Sequence, residues 1–140
     1  MVTLNHELQD KKGIYFLILN LTDGKGNSIS HNVYWMSRGN DFNALKTMPS
    51  AAIQTKLLKT ETKANDNHWT YEFSNPSKQV AFFINPQLWN DQEEIMPTFW
   101  TSNYFSLAPG EKIIITASCP RVLSLKKPVL RLEAWNVPVQ

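Results

Sequence analysis

Cysteine occurs once in the 140 residues, as Cys119. A single thiol excludes an intrachain disulfide framework and any cysteine-based zinc site, and it leaves the redox compartment open. At the end of an apolar run and next to Pro120, it reads as a small buried hydrophobe rather than a reactive group. Charge is also scarce: 19% of residues are charged and the net charge is +2. The lysines cluster only locally, at 56–63 and 126–127, and the strongly basic stripe of a nucleic-acid binder is absent. Nucleic acid is therefore not expected as a partner. No apolar run approaches the ~20 residues that cross a bilayer, so no membrane partner is expected either. The opening residues lack a basic segment followed by an apolar core, and no signal peptide is expected.

Catalytic patterns are missing too. The 12 acidic residues fall mainly in turn-like stretches, among them Asp23, Asp41, Asp66, Asp91 and Glu111. Glu93 and Glu94 are adjacent and would point to opposite faces of an extended chain, so they make a poor acid/base pair across a cleft. His6, His31 and His68 lack helical i, i+4 spacing, and no metal site is expected. The glycines at 24 and 26 belong to a hairpin turn and are followed by no helix, which excludes a phosphate loop and any cofactor that would use one. Ser102, Ser106 and Ser118 have no nucleophile-elbow context. No catalytic residue is expected in this chain.

What the chain does have is strands. Residues 15–21 form an apolar run that ends at Asp23-Gly24-Lys25-Gly26, a strong hairpin signal, and residues 29–37 return. Residues 37–41 read as a loop and 42–48 as an irregular or one-turn helical connection. Further strands are predicted over 52–61, 80–89, 112–118 and 129–135. Trp69, Tyr71 and Phe73 alternate with Thr70, Glu72 and Ser74, the pattern of a half-buried strand with its aromatics in the core. Phe82, Ile84 and Leu88 share one face by the same parity, and residues 90–94 read as a polar turn. Pro86 lies on that face and predicts an edge position or a bulge. About eight or nine short strands without a long amphipathic helix argue an all-β fold, an antiparallel immunoglobulin-like β-sandwich. The leading hairpin is extra to it. An exposed two-stranded hairpin is marginal alone, so it is expected to pack on the sandwich or on a second chain.

The remaining candidates for binding are aromatic. Trp89 lies by parity opposite Phe82 and Ile84, beside Asn85 and Gln87, and Trp135 lies opposite Leu130 and Leu132. Either ring suits the C–H face of a sugar, or the cover of a neighbouring domain. Trp100, Asn103 and Tyr104 are weaker candidates for sugar contact and suit a role in locking a corner of the sandwich.

Residues 96–111 carry the most specific pattern. Trp100-Thr101-Ser102-Asn103-Tyr104 precedes Leu107-Ala108-Pro109-Gly110-Glu111, and the strand-forming run Ile113-Ile114-Ile115-Thr116 follows. Proline fixes φ at the first central turn position and glycine accepts the positive φ of a type II turn at the next. Together with Val80-Ala81-Phe82-Phe83 and the closing Ala134-Trp135-Asn136-Val137, this stretch resembles the C-terminal immunoglobulin-fold domain of glycoside hydrolase family two enzymes. The branch is that of the exo-β-D-glucosaminidases and β-mannosidases. Residues 15–23 and Asn32-Val33-Tyr34-Trp35 resemble the end of the preceding β-sandwich in those enzymes. Pro86 and Ser102 depart from the pattern; an apolar residue and more often an acid stand there.

The resemblance implies a division into 1–38, the tail of a preceding sandwich, and 43–140, the immunoglobulin-like sandwich. It implies a non-catalytic accessory domain that packs on the other domains of a multi-domain exo-glycosidase and shapes access to an active site elsewhere. For a bacterial parent it implies a periplasmic or extracellular setting. The alternative is a carbohydrate-binding module that holds an oligosaccharide through its surface tryptophans. A homodimer through the hairpin or the exposed edge strands is a further expectation.

Overall fold

The computed structural model describes residues 13–26, 28–37, 39, 41–121 and 127–138. The N-terminal stretch with His6, Arg38 and Asn40 of the expected loop, and Lys126 lie outside the described residues. The chain forms two compact units, Met1–Met48 and Pro49–Gln140.

In the first unit, β1 (Ile14–Thr22) pairs antiparallel with β2 (Ser28–Ser37), in register from Ile14 opposite Ser37 to Leu21 opposite Ser30. Asp23 makes the turn. Its carbonyl accepts from the Gly26 amide at 3.0 Å and its carboxylate from the Lys25 amide at 2.9 Å, while Gly26 takes a positive φ of 84°. Both faces of this ribbon are apolar. Phe16, Ile18, Val33 and Trp35 share one face, and Leu17, Leu19, Leu21 and Tyr34 the other. A short 3-10 helix, Asn43–Thr47, follows where a one-turn connection is predicted.

The second unit is the sandwich. One sheet runs β3 (Gln54–Lys63), β4 (Asp66–Ser74), β9 (Lys112–Pro120), β7 (Phe99–Trp100). The other is built on β5 (Ala81–Asn90), flanked by β10 (Val129–Glu133) on one side and by β6 (Glu93–Glu94) and β8 (Phe105–Leu107) on the other. All these pairings are antiparallel. The fold class is the predicted one.

Alternation on β4 places Trp69, Tyr71 and Phe73 inside, and Ile115, Ala117 and Cys119 join them from β9. Ile84, Leu88, Phe105, Leu107 and Leu132 close the core from the opposite sheet, with Phe73 and Phe105 edge to face at 5.3 Å. Each large side chain buried this fully contributes roughly 1.5–3 kcal/mol. Cys119 is a buried hydrophobe, and burial pushes its thiol pKa up, with the nearby Asp66 charge adding to the rise.

The turn after residue 107 forms as its residues dictate. Gly110 has φ +76°, and the Glu111 amide donates to the Ala108 carbonyl at 3.0 Å. The Glu111 carboxylate accepts from the Ala108 amide at 2.7 Å, which closes the turn from the other side.

Four details differ from the sequence expectation. Residues 93–94 are a short strand on β5, where a turn is predicted. The last strand ends at Glu133 and not at 135, so Trp135 stands in a bend beyond it, exposed while Leu132 is buried. A bulge between Ala81 and Ile84 breaks the parity of β5, because one extra residue opposes β8 there. Ala81 and Ile84 therefore both belong to the core cluster, and Phe82 is buried outside it. Finally, Pro86 is buried within β5 and pairs with Leu132. On its other side, β8 pairing ends at Ile84 and β6 pairing starts at Trp89, so proline sits where no ladder partner faces it among the described residues.

Candidate functional site

The β5 bulge gives the sandwich its most distinctive surface. Phe83 adopts a left-handed backbone with φ +58°, a conformation uncommon for an aromatic residue and costing about 1 kcal/mol or more. Side chains hold the bulge in place. The Phe83 amide donates to the buried Ser106 hydroxyl at 3.1 Å, and the Phe82 amide donates to Asn136 Oδ1 at 2.9 Å. The Trp135 amide donates to the Phe82 carbonyl at 3.0 Å. Tyr104, just before β8, is a second left-handed aromatic with φ +51°.

These backbones bring four rings together. Phe83 and Tyr104 lie 5.0 Å apart, Phe82 and Phe83 5.6 Å, and Phe82 and Trp135 6.5 Å. Phe82 forms the floor. Phe83, Tyr104 and Trp135 remain 36%, 51% and 54% exposed. Neighbouring planes are inclined by 42°, 44° and 67°, so the rings form a ridged surface instead of a flat platform.

Of the candidate residues, Trp135 and Tyr104 stand at the two ends of this chain of rings and do not touch each other in it. Asn103 is exposed in the adjoining loop. Trp100 lies on the opposite sheet, paired with Ala117 and half-buried against the core, its ring 6.4 Å from that of Tyr71. Trp89 stands at the far end of β5. Its indole N–H donates to Gln87 Oε1 at 3.1 Å, and the Arg131 guanidinium lies 4.2 Å from its ring centroid. That cation occupies a ring face a sugar would need.

Phe82 and Phe83 are the members that sequence reasoning did not single out. Parity puts Phe83 on the outer face with Asn85 and Gln87, where it is found. It puts Phe82 with Ile84, whereas Phe82 is buried outside the core cluster. The sequence signal for the pair was Phe-Phe beside a proline-bearing strand. Among the described residues, no group of three or more His, Cys, Asp or Glu side chains could hold a metal ion. Glu93 and Glu94 are both exposed. No helix among the described residues is long and apolar enough to cross a membrane.

Residues 32–137 match the sequence profile described as the exo-beta-D-glucosaminidase Ig-fold domain. The chain belongs to this family. It is 26% identical over 147 residues to an exo-beta-D-glucosaminidase of Arthroderma benhamiae, covering 93% of this chain and 16% of that protein. It is 26% identical over 144 residues to the exo-beta-D-glucosaminidase of Amycolatopsis orientalis, covering 86% of this chain and 14% of the relative. The crystal structure of Amycolatopsis orientalis exo-chitosanase CsxA superposes with a TM-score of 0.81 over 92% of this chain and 18% of CsxA, at 24% sequence identity. The family match begins inside β2 and ends beyond β10, so it takes in all four residues of the aromatic surface. The chain spans less than a fifth of the length of these relatives.

Proposed function

We propose that this chain is a non-catalytic accessory sandwich of a multi-domain exo-glycosidase of the β-glucosaminidase and β-mannosidase type in glycoside hydrolase family two. It packs on neighbouring domains and shapes access to an active site whose carboxylates lie elsewhere in the polypeptide. The observation that carries this reading is the family match across 32–137 in a chain that covers only 16% and 14% of two exo-beta-D-glucosaminidases. Within it, residues 1–38 are the tail of a preceding sandwich and 43–140 the immunoglobulin-like domain. The two-faced apolar hairpin supports that division, since a ribbon apolar on both sides belongs between two covering layers.

Carbohydrate binding by the domain itself is the second reading, favoured by Trp135 and Tyr104 being exposed at the two ends of one chain of ring contacts through Phe82 and Phe83. The tilted rings and the capped Trp89 weigh against it.

Two measurements on the isolated chain test these readings. Incubated with a p-nitrophenyl β-D-glucosaminide, it releases no p-nitrophenol above the buffer rate; enzyme-like turnover would overturn the accessory role. Titrated with glucosamine oligomers to millimolar concentration, it shows no change in tryptophan fluorescence. A saturable change would establish the binding module instead.

A further inference from the structure

We infer that the ridge formed by Phe83, Tyr104 and Trp135 over Phe82 is the face on which this sandwich docks against another domain of its own polypeptide. The inference rests on the accessory-domain reading and assigns that packing to a surface. Phe83 and Tyr104 stand exposed in ring contact, and the exposed Trp135 meets the same buried Phe82 that Phe83 touches. Contiguous apolar exposure of this kind marks an interaction site. The backbone is built for it: two aromatic residues are held left-handed, and the buried Ser106 hydroxyl and the Asn136 carboxamide clamp the bulge that turns Phe83 outward. Strain maintained by specific hydrogen bonds points to use of the surface it creates.

The inclination of the rings selects the occupant. Planes tilted by 42–67° leave ridges and clefts that side chains of a protein can fill, and they offer no flat platform on which successive sugar rings could lie together. A protein partner is also at hand in the same polypeptide, because the matched relatives extend over several times the length of this chain. The strand continues from the ridge into polar groups, Asn85 opposite Glu133 and Gln87 opposite Arg131, which supply a hydrogen-bonding rim.

Cysteine labelling with a maleimide reads the surface directly, since the native Cys119 is buried. Tyr104→Cys and Trp135→Cys report the ridge, and Lys56→Cys on β3 reports the opposite sheet. Each is made in the 140-residue chain and in the complete polypeptide that contains it. In the short chain all three sites label rapidly. In the complete polypeptide the two ridge sites slow by about tenfold or more while Lys56→Cys is unchanged. Having two ridge variants guards against one of them misfolding.

Protection of Lys56→Cys with the ridge still reactive would overturn the choice of face and leave domain packing standing. Rapid labelling of all three sites in the complete polypeptide would remove both. Protection that grows with concentration of the short chain would identify a second copy as the occupant. Protection of the ridge in the short chain by millimolar glucosamine oligomer would identify a sugar. Either result would overturn the inference.

Discussion

At the scale of single residues, the side chain of Asn136 joins three segments that lie far apart in the chain. Its Oδ1 accepts from the Phe82 amide at 2.9 Å, and its Nδ2 donates to the carbonyls of Pro49 at 2.8 Å and Val80 at 2.9 Å. Its own carbonyl accepts from the Ala51 amide at 2.8 Å. Asn75 does comparable work beside the 107–111 turn. Its carboxamide donates to the Gln79 and Leu107 carbonyls at 2.7 and 2.9 Å and accepts from the Ser77 amide at 3.0 Å. Deleting such a side chain leaves partly buried amides and carbonyls without partners, and each orphaned group costs about 1–3 kcal/mol. Asn136→Ala is therefore expected to destabilise the sandwich by about 2–3 kcal/mol, read as a lower urea midpoint at unchanged slope. Asn136→Asp keeps the acceptor but sets a carboxylate oxygen against the Pro49 and Val80 carbonyl oxygens, and should destabilise at least as much as the alanine variant. A loss under about 0.5 kcal/mol for the alanine variant would show that water replaces the pin. Neither role was legible in the sequence. An asparagine in a loop reads as a turn residue, and its long-range partners depend on segments brought together by the fold.

At the scale of elements, legibility tracked how local the determining interaction is. On β4, strict alternation decided the face of Trp69, Tyr71 and Phe73, because a strand with one side in the core has a period of two. The turn at 108–111 was equally plain, since proline and glycine restrict the backbone wherever they stand. On β5 the same reasoning failed at Phe82. The bulge that flips the parity arises from pairing with β8, more than twenty residues away, and from clamps by Ser106 and Asn136. Trp135 is exposed while Leu132 is buried, as its opposite parity predicts, although β10 stops at Glu133 and the Trp135 amide turns to the Phe82 carbonyl.

The edge strand β3 shows what electrostatics adds. Glu61 accepts from Lys59 at 2.7 Å and from Lys63 at 2.8 Å, two lysines from its own strand. The hydrogen bonds from Lys59 and then Lys63 lower its pKa to about 2. A carboxylate whose folded pKa is depressed stabilises the fold above its unfolded pKa of 4.5, and that contribution is lost as pH falls toward about 2. The side chains are solvent-accessible, so the effect is modest and fades with salt. In an NMR titration at low ionic strength the Glu61 carboxyl carbon should have its midpoint well below an ordinary glutamate's. A midpoint near 4.5 would show that the triad does not form in solution.

At the scale of the whole molecule, the two units differ in what they can bury. The sandwich of 49–140 encloses a core supplied by both sheets, from Phe73 and Ile115 on one side to Ile84, Leu88 and Leu132 on the other. Among the described residues the first unit contains the β1–β2 ribbon and the 3-10 helix Asn43–Thr47, and Leu19, Leu21, Ile29 and Tyr34 remain exposed on it. Two strands without a covering layer are marginal in water. Residues 49–140 expressed alone are therefore expected to fold, with dispersed amide NMR signals and one cooperative unfolding transition. Residues 1–48 expressed alone should show neither. A fragment of 49–140 that lacked near-ultraviolet circular dichroism would mean that its core needs an added layer, and the sandwich would then not be a self-sufficient unit. A folded 1–48 fragment would remove the physical reason for assigning the hairpin to a larger sheet. If both fragments behave as expected, the hairpin owes its order to surroundings that the sandwich does not require. That difference in dependence is what a join between the end of one sandwich and a complete second one produces.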